Sequence, residues 1–167
     1  MDKAGIRYTK IRDMEPADAD SVADFVTKLN VFEASLSADR DTSEQAGKDH
    51  FDYLCDEVRS LGGFCLVAEL EEMLMGCLIA APESMPGFIV KPEYRTYGEI
   101  YDIYVVPKAR GKGLGRKLIN EAENRFRKMG LNQVGLYALA GNRNAIGAYE
   151  CMGFEHYETF MRKNISG

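Results

Sequence analysis

The segment from Gly98 to Met129 constrains this chain more than any other. GEIYDIYVV (98–106) is apolar, β-branched and aromatic, and reads as a buried strand. Pro107 stops it. Gly111, Gly113 and Gly115 then crowd one turn. After them Leu114, Leu118, Ile119, Ala122, Phe126 and Met129 recur on one helical face, closed by Gly130. A buried strand handed through glycines to an amphipathic helix requires a sheet with a helix laid over it. It also aims the unbonded N–H groups of the helix start past the end of the strand. With no side chains at three positions, an anion can reach that backbone, and a pyrophosphate fits best. Arg110, Lys112 and Arg116 add positive charge there.

The spacing discriminates among phosphate turns. GxxxxGK[ST] fails because Arg116 and Lys117 precede Leu118, and GxGxxG fails for want of its third glycine. What remains, Arg110-x-x-Gly113-x-Gly115, suits an acyl-CoA turn. A glycine-rich connection with no ligand is the alternative.

The rest of the chain supplies the partners for this unit. IRYTKIRD (5–12) alternates as a strand, Pro16 starts a helix carrying Val22, Phe25, Val26 and Leu29, and residues 31–41 read as a loop. Thr42 and Gln45 match a capping box before a helix with Phe51, Leu54, Cys55, Val58 and Leu61 on one face, ended by Gly62 and Gly63. FCLVAEL (64–70) and MLMGCLIAA (73–81) form a hairpin. Residues 82–97, with three of the five prolines, read as a long loop. VGLYAL (134–139) is a strand, Asn142 or Asn144 caps a short helix closed by Gly153, and HYETFMRK (156–163) reads as a final strand. The order βααβββαβαβ predicts one α/β domain over 1–167, a single mixed sheet flanked by helices.

Composition narrows function mainly by exclusion. The 167 residues are 46% hydrophobic with net charge −5 and no Lys/Arg block, which argues against disorder and against nucleic-acid binding. Cys55, Cys65, Cys77 and Cys151 have apolar neighbours and no CxxC spacing, so they read as reduced thiols. His50 and His156 match no zinc pattern, and no metal is expected. The opening MDKAGIRYTKIRD has no signal-like apolar stretch and no run is long enough to span a bilayer, so a cytoplasmic chain is expected.

The turn resembles motif A of the GNAT acetyltransferase superfamily, [RQ]xxGx[GA]. Farther along, GNRNAIGAYECMGF (141–154) looks like its motif B, NxxAxxxYxxxGF, with Asn142, Ala145, Tyr149, Gly153 and Phe154 in place. The resemblance spans residues 5 to about 163. It implies the GNAT (acyl-CoA N-acyltransferase) fold, with a mostly antiparallel sheet, and acetyl-CoA as co-substrate. Carried over, Gly111, Lys112, Gly113, Leu114, Gly115 and Arg116, with Arg110, hold the pyrophosphate. The strand backbone at Ile103, Tyr104 and Val105 meets the acetyl carbonyl or the pantetheine arm. Asn142 contacts the pantetheine region. Tyr149 protonates the departing thiolate or hydrogen-bonds the sulfur; taken alone, Asn142 reads as a helix cap and Tyr149 as a core aromatic.

The implied reaction is direct attack of a primary amine, of a small molecule or a peptide, on the thioester. The oxyanion falls to a strand N–H, at Val105. Strict alternation puts Glu99, Tyr101, Ile103 and Val105 on one side and Asp102 on the other, unless a bulge shifts the parity. Glu99, acting through a water, is therefore the expected base, with Asp102 or bulk water the alternatives. Phe32 and Glu33, with Phe88, Tyr94 and Arg95, are candidates for the acceptor pocket. A non-catalytic acyl-CoA sensor is the competing reading. Dimers are common in the family, and 156–163 could pair across an interface.

Overall fold

A computed structural model describes residues 9–165. Five strands form one sheet in the order β1-β2-β3-β4-β5: β1 (Lys10–Asp13), β2 (Phe64–Leu70), β3 (Met73–Ser84), β4 (Thr96–Val105) and β5 (Val134–Leu136). All neighbours are antiparallel except β4 and β5, which run parallel. Helices α1 (Ala19–Ala34) and α2 (Glu44–Leu61) cover one face; α3 (Leu114–Lys128) covers the other, and α4 (Arg143–Glu150) follows β5. The mixed, mostly antiparallel sheet between helices is the expected architecture.

Each helix seals its face with the stripe its sequence carries. Leu114, Leu118, Ile119, Ala122 and Phe126 are fully buried against Leu66, Leu78 and Ile100. Val22, Val26, Phe51 and Leu54 pack with Val67, Ile79 and Tyr104 on the opposite face. Gly98 lies under Phe126: a Cβ there would come within 2.3 Å of the ring, so only glycine lets α3 settle at this depth. Arg12 on β1 joins the sheet to the start of α1, donating two hydrogen bonds to Asp18 and one to Glu69. That pairing holds the Asp18 carboxyl below its ordinary pKa.

The structure corrects several local expectations at the element ends. Helix α1 runs on through Val31, Phe32 and Glu33 to Ala34, so the expected loop begins later. The α2 cap is Ser43, whose hydroxyl accepts from the Ala46 amide, one residue after the Thr42 expected from the capping box. Strand β5 stops at Leu136 although the apolar run continues to Leu139, because its pairing with β4 ends at Ile100. Residues 156–163 form no strand: they find no ladder partner among the described residues, and Phe160 and Met161 stand 86% and 85% exposed. Arg162 ties this tail to Asp39 in the α1–α2 connection. Of the expected strand at 5–12, residues 5–8 lie outside the described residues. No helix among the described residues is long and apolar enough to cross a membrane.

The β2–β3 hairpin closes through two residues, Glu71 and Glu72, between the paired Leu70 and Met73. Both have positive φ, 50° and 63°, as such a turn requires, and neither residue type favours it. The double substitution Glu71→Asn with Glu72→Gly should raise unfolding stability by about 1–2 kcal/mol in a urea titration, with the sheet register unchanged.

Candidate functional site

The site grows from what β4 does with its backbone. Near its start Gly98 donates to the Gln133 carbonyl, so even-numbered residues there face β5. Pairing to β5 covers only Gly98, Glu99 and Ile100. Then the register with β3 slips: Ala80 opposes Ile100, but Ile79 opposes Asp102, leaving Tyr101 as the extra residue of a β-bulge. Beyond it Val106 donates to the Met75 carbonyl on β3, so the amides of Ile103 and Val105 now face the β5 side. There β5 has already ended. The result is a gap edged by main-chain N–H groups. Of the three strand residues expected to meet the cofactor, Ile103 and Val105 face this gap. Tyr104 pairs its backbone with Cys77 and stacks its ring on Phe25, 5.0 Å between centroids.

The same slip corrects the parity expected for the strand. Ile100, Ile103 and Val105 pack on the α3 side, whereas Tyr101 and Tyr104 pack toward α1 and α2. Glu99 and Asp102 thus share the α1/α2 face, and Glu99 does not lie on the side of Ile103 and Val105. Nothing in GEIYDIYVV marks the extra residue, since both faces carry large apolar side chains.

The glycine turn stands at the end of the gap. One turn of 3₁₀ helix (Pro107–Ala109) leads into it, and Gly111 and Gly113 have φ of 69° and 91°. At both positions a Cβ would meet nothing within 4 Å, so the glycines serve conformation and openness rather than packing. Gly113 is the N-cap of α3, and no side chain caps the helix. The first helical bond here runs from Lys117 N–H to the Gly113 carbonyl, so the N–H groups of Leu114, Gly115 and Arg116 are left for an external acceptor. Arg110 donates to the Val105 carbonyl at 2.8 Å, and Arg116 to the Cys151 carbonyl at 3.0 Å. These carbonyls are neutral, so the bonds orient both cations without cancelling their charge. Lys112 donates to the Lys108 carbonyl. A diphosphate fits this backbone: exposed amides, a helix dipole and oriented cations converge, with no Cβ in the way.

Motif B folds as expected from its cap. The Asn142 Oδ1 accepts from the Ala145 amide at 3.3 Å and starts α4. The Arg116 bond to Cys151 ties the end of α4 to the beginning of α3. Tyr149 packs edge-on against Phe154 at 5.9 Å and borders the α3-side core. Its hydroxyl is pushed above the ordinary tyrosine pKa, first by burial, then by the charges of Asp102 and Glu33. Tyr149, Asp102 and Glu33 therefore lie within electrostatic reach of one another, brought from α4, β4 and α1.

The two strand carboxylates differ in their surroundings. Glu99 accepts a hydrogen bond from the Tyr97 hydroxyl at 2.5 Å. Its pKa is raised, chiefly by burial and further by Glu83, with the Tyr97 bond opposing. The Tyr101 hydroxyl donates to Glu83 at 2.6 Å, so the bulge residue is pinned to β3. Asp102 has no such help: its Oδ2 is shielded from solvent and has no hydrogen-bond partner. Burial pushes it up to about 6, with Glu33 raising it and His50 lowering it. Among the pocket candidates, Glu33 is held by Arg40 at 2.9 Å, and Arg95 donates to the Val90 carbonyl. Phe32, Phe88 and Tyr94 are exposed.

Residues 31–154 match the family model described as Acetyltransferase (GNAT) family. The chain is 29% identical over 96 residues to the mycothiol acetyltransferase of Renibacterium salmoninarum, covering 58% of this chain and 27% of that protein. It thus spans roughly a quarter of the length of the curated mycothiol relatives it matches. It superposes on a GCN5-related N-acetyltransferase from Ralstonia eutropha with a TM-score of 0.73 and 25% identity, over 95% of this chain and 99% of that one. The fold also matches a predicted acetyltransferase from Clostridium acetobutylicum solved with acetyl-CoA, at a TM-score of 0.71 and 16% identity over 94% and 96% of the two chains.

The Tyr97 bond is the influence that lowers the Glu99 pKa. Tyr97→Phe should therefore move the Glu99 titration upward, read from its side-chain carboxyl carbon by NMR. No movement would mean that the hydroxyl and carboxylate are not bonded in solution.

Proposed function

The chain belongs to the GNAT acetyltransferase family, and from that premise we propose that it transfers the acetyl group of acetyl-CoA to a primary amine of a small molecule or peptide. The observation that carries this reading is the alignment of two sets of backbone donors along one path: the Ile103 and Val105 amides facing the β4–β5 gap, and the uncapped start of α3 at Gly113.

On this reading the pyrophosphate rests on Gly111–Arg116, and the pantetheine arm runs up the gap past Asn142. The thioester carbonyl lies against the Val105 amide, which stabilises the oxyanion as the amine adds. Holding thioester and amine in register supplies much of the acceleration. The carbon–nitrogen bond forms, the carbon–sulfur bond breaks, and Tyr149, kept protonated by its surroundings, donates to the departing thiolate. The amine's proton passes to a carboxylate of β4. Glu99 is that base on the sequence reading, acting through a water, and Asp102 shares its face. Cofactor binding without turnover is the competing outcome for such a fold.

Incubation with acetyl-CoA and a panel of primary amines, following free thiol, tests the proposal. Thiol release with one class of amine supports it; CoA binding with no release from any amine favours a sensor. Gly113→Glu puts a side chain at φ 91° and a carboxylate on the cradle. CoA affinity should fall at least ~100-fold by calorimetry, since backbone strain alone costs about 1–2 kcal/mol and like charge adds to it. Normal affinity would remove the cradle from this turn. Tyr149→Phe should lower kcat about 100-fold while CoA affinity stays within about twofold. An unchanged kcat would leave the thiolate to be protonated by solvent.

A further inference from the structure

Asp102 carries the one buried side-chain oxygen without a hydrogen-bond partner among the described residues. A buried carboxylate oxygen left unpaired is costly, and a native fold keeps one where something outside the chain completes it. The missing partner must be a donor, and a cationic one removes the burial cost of the charge as well. We propose that Asp102, turned to the α1/α2 face by the bulge at Tyr101, holds the ammonium of the acceptor at the mouth of the β4–β5 gap and takes its proton before attack. This inference rests on the acetyl-transfer reading and names the proton acceptor within it.

Three features converge on Asp102 rather than Glu99. First, Glu99 already receives the Tyr97 hydroxyl and lies where β5 still pairs with β4, opposite Gly135. Asp102 lies past the last paired residue, Ile100, beside the amides of Ile103 and Val105. Second, Asp102 and Tyr149 sense each other's charge, as an acid and a base working on one thioester must. Third, the groups facing Asp102 from the packed elements are Glu33 on α1, His50 on α2, Tyr149 on α4 and the Cys77 thiol on β3. Glu33 is compensated by Arg40, whereas Asp102 has no cation bonded to it. The cleft therefore favours a cationic primary amine over an acidic or neutral acceptor.

The proton balance is complete with these groups. The bound ammonium gives one proton to Asp102 and becomes the nucleophile. Its lone pair forms the bond to the acetyl carbon as the carbon–sulfur bond breaks. The second proton leaves the nitrogen as Tyr149 delivers one to sulfur, and the tyrosine is restored by that nitrogen proton. Asp102 returns its proton to solvent, so each turnover releases one proton with the acetamide and free CoA.

Asp102→Asn keeps the shape and removes the charge. Because burial raises the carboxyl's pKa in the fold, its ionised form costs stability above the unfolded pKa, and that cost fades as pH falls. The variant should thus melt no lower than the parent at pH 8. At saturating acetyl-CoA, with whichever panel amine the parent turns over, kcat/KM of the parent should lose activity on an acid limb near the Asp102 titration. Asp102→Asn should fall about 100-fold or more. Its remaining rate should climb tenfold per pH unit with the free amine, while CoA affinity is kept. An acid limb that survives in Asp102→Asn and vanishes in Glu99→Gln overturns the proposal, as does lost CoA affinity in Asp102→Asn. A second readout needs no turnover. With CoA bound, added propylamine should lower the Asp102 carboxyl titration followed by carbon NMR; an unmoved titration also overturns the proposal. A parent that releases no thiol with any amine refutes acetyl transfer, and the titration still decides whether Asp102 holds an ammonium.

Discussion

A strand inside a sheet carries hydrogen-bonding groups on two edges, and β4 uses them unequally. One edge is paired to β3 along its length; the other is paired to β5 for three residues only. The bulge at Tyr101 sits at that boundary and reverses which residues face which neighbour. Everything assigned to the site depends on this reversal. It presents the Ile103 and Val105 amides to the gap and sends Asp102 to the side of α1 and α2. The cost is an interrupted ladder and an unpaired carboxylate oxygen. Those are concessions that a fold built for stability alone would not make.

The helix α3 supplies the second half of the site for a related reason. Its apolar stripe is buried without remainder from Leu114 to Phe126, and Gly98 lets the Phe126 ring press onto β4. That packing fixes the helix start relative to the strand end. Gly111 and Gly113 between them need do no packing of their own, and their open surroundings follow. Affinity for an anion thus originates far from the anion, in the core that aims the helix.

The parts legible in the sequence are those where one residue type has one physical use. Positive φ at Gly111 and Gly113 and the cap at Asn142 are of this kind, as is the buried stripe of α3. Tyr149 is legible by its place in a motif, though its link to Asp102 and Glu33 needs three elements folded together. The bulge leaves no trace because one extra residue in a run with apolar groups on both faces does not break any pattern. Plain alternation therefore puts Glu99 on the side of Val105, where the structure does not. The strand expected at 156–163 fails for the opposite reason: its alternation is real, but alternation describes faces and does not furnish a neighbouring edge. Thr42 loses the α2 cap to Ser43 because adjacent hydroxyl residues are interchangeable on paper and only one meets the Ala46 amide.

The donors along the gap belong to the main chain, and this shapes how the protein can be damaged. Exchanging the side chain at Ile103 or Val105 leaves the amide in place, so most point changes there act through packing alone. Only an imino acid deletes the donor itself. Vulnerability is therefore concentrated in proline on the strand and in any residue with a β-carbon at the left-handed glycines. Elsewhere along the path, sequence can drift widely while the row of amides that the fold presents stays the same.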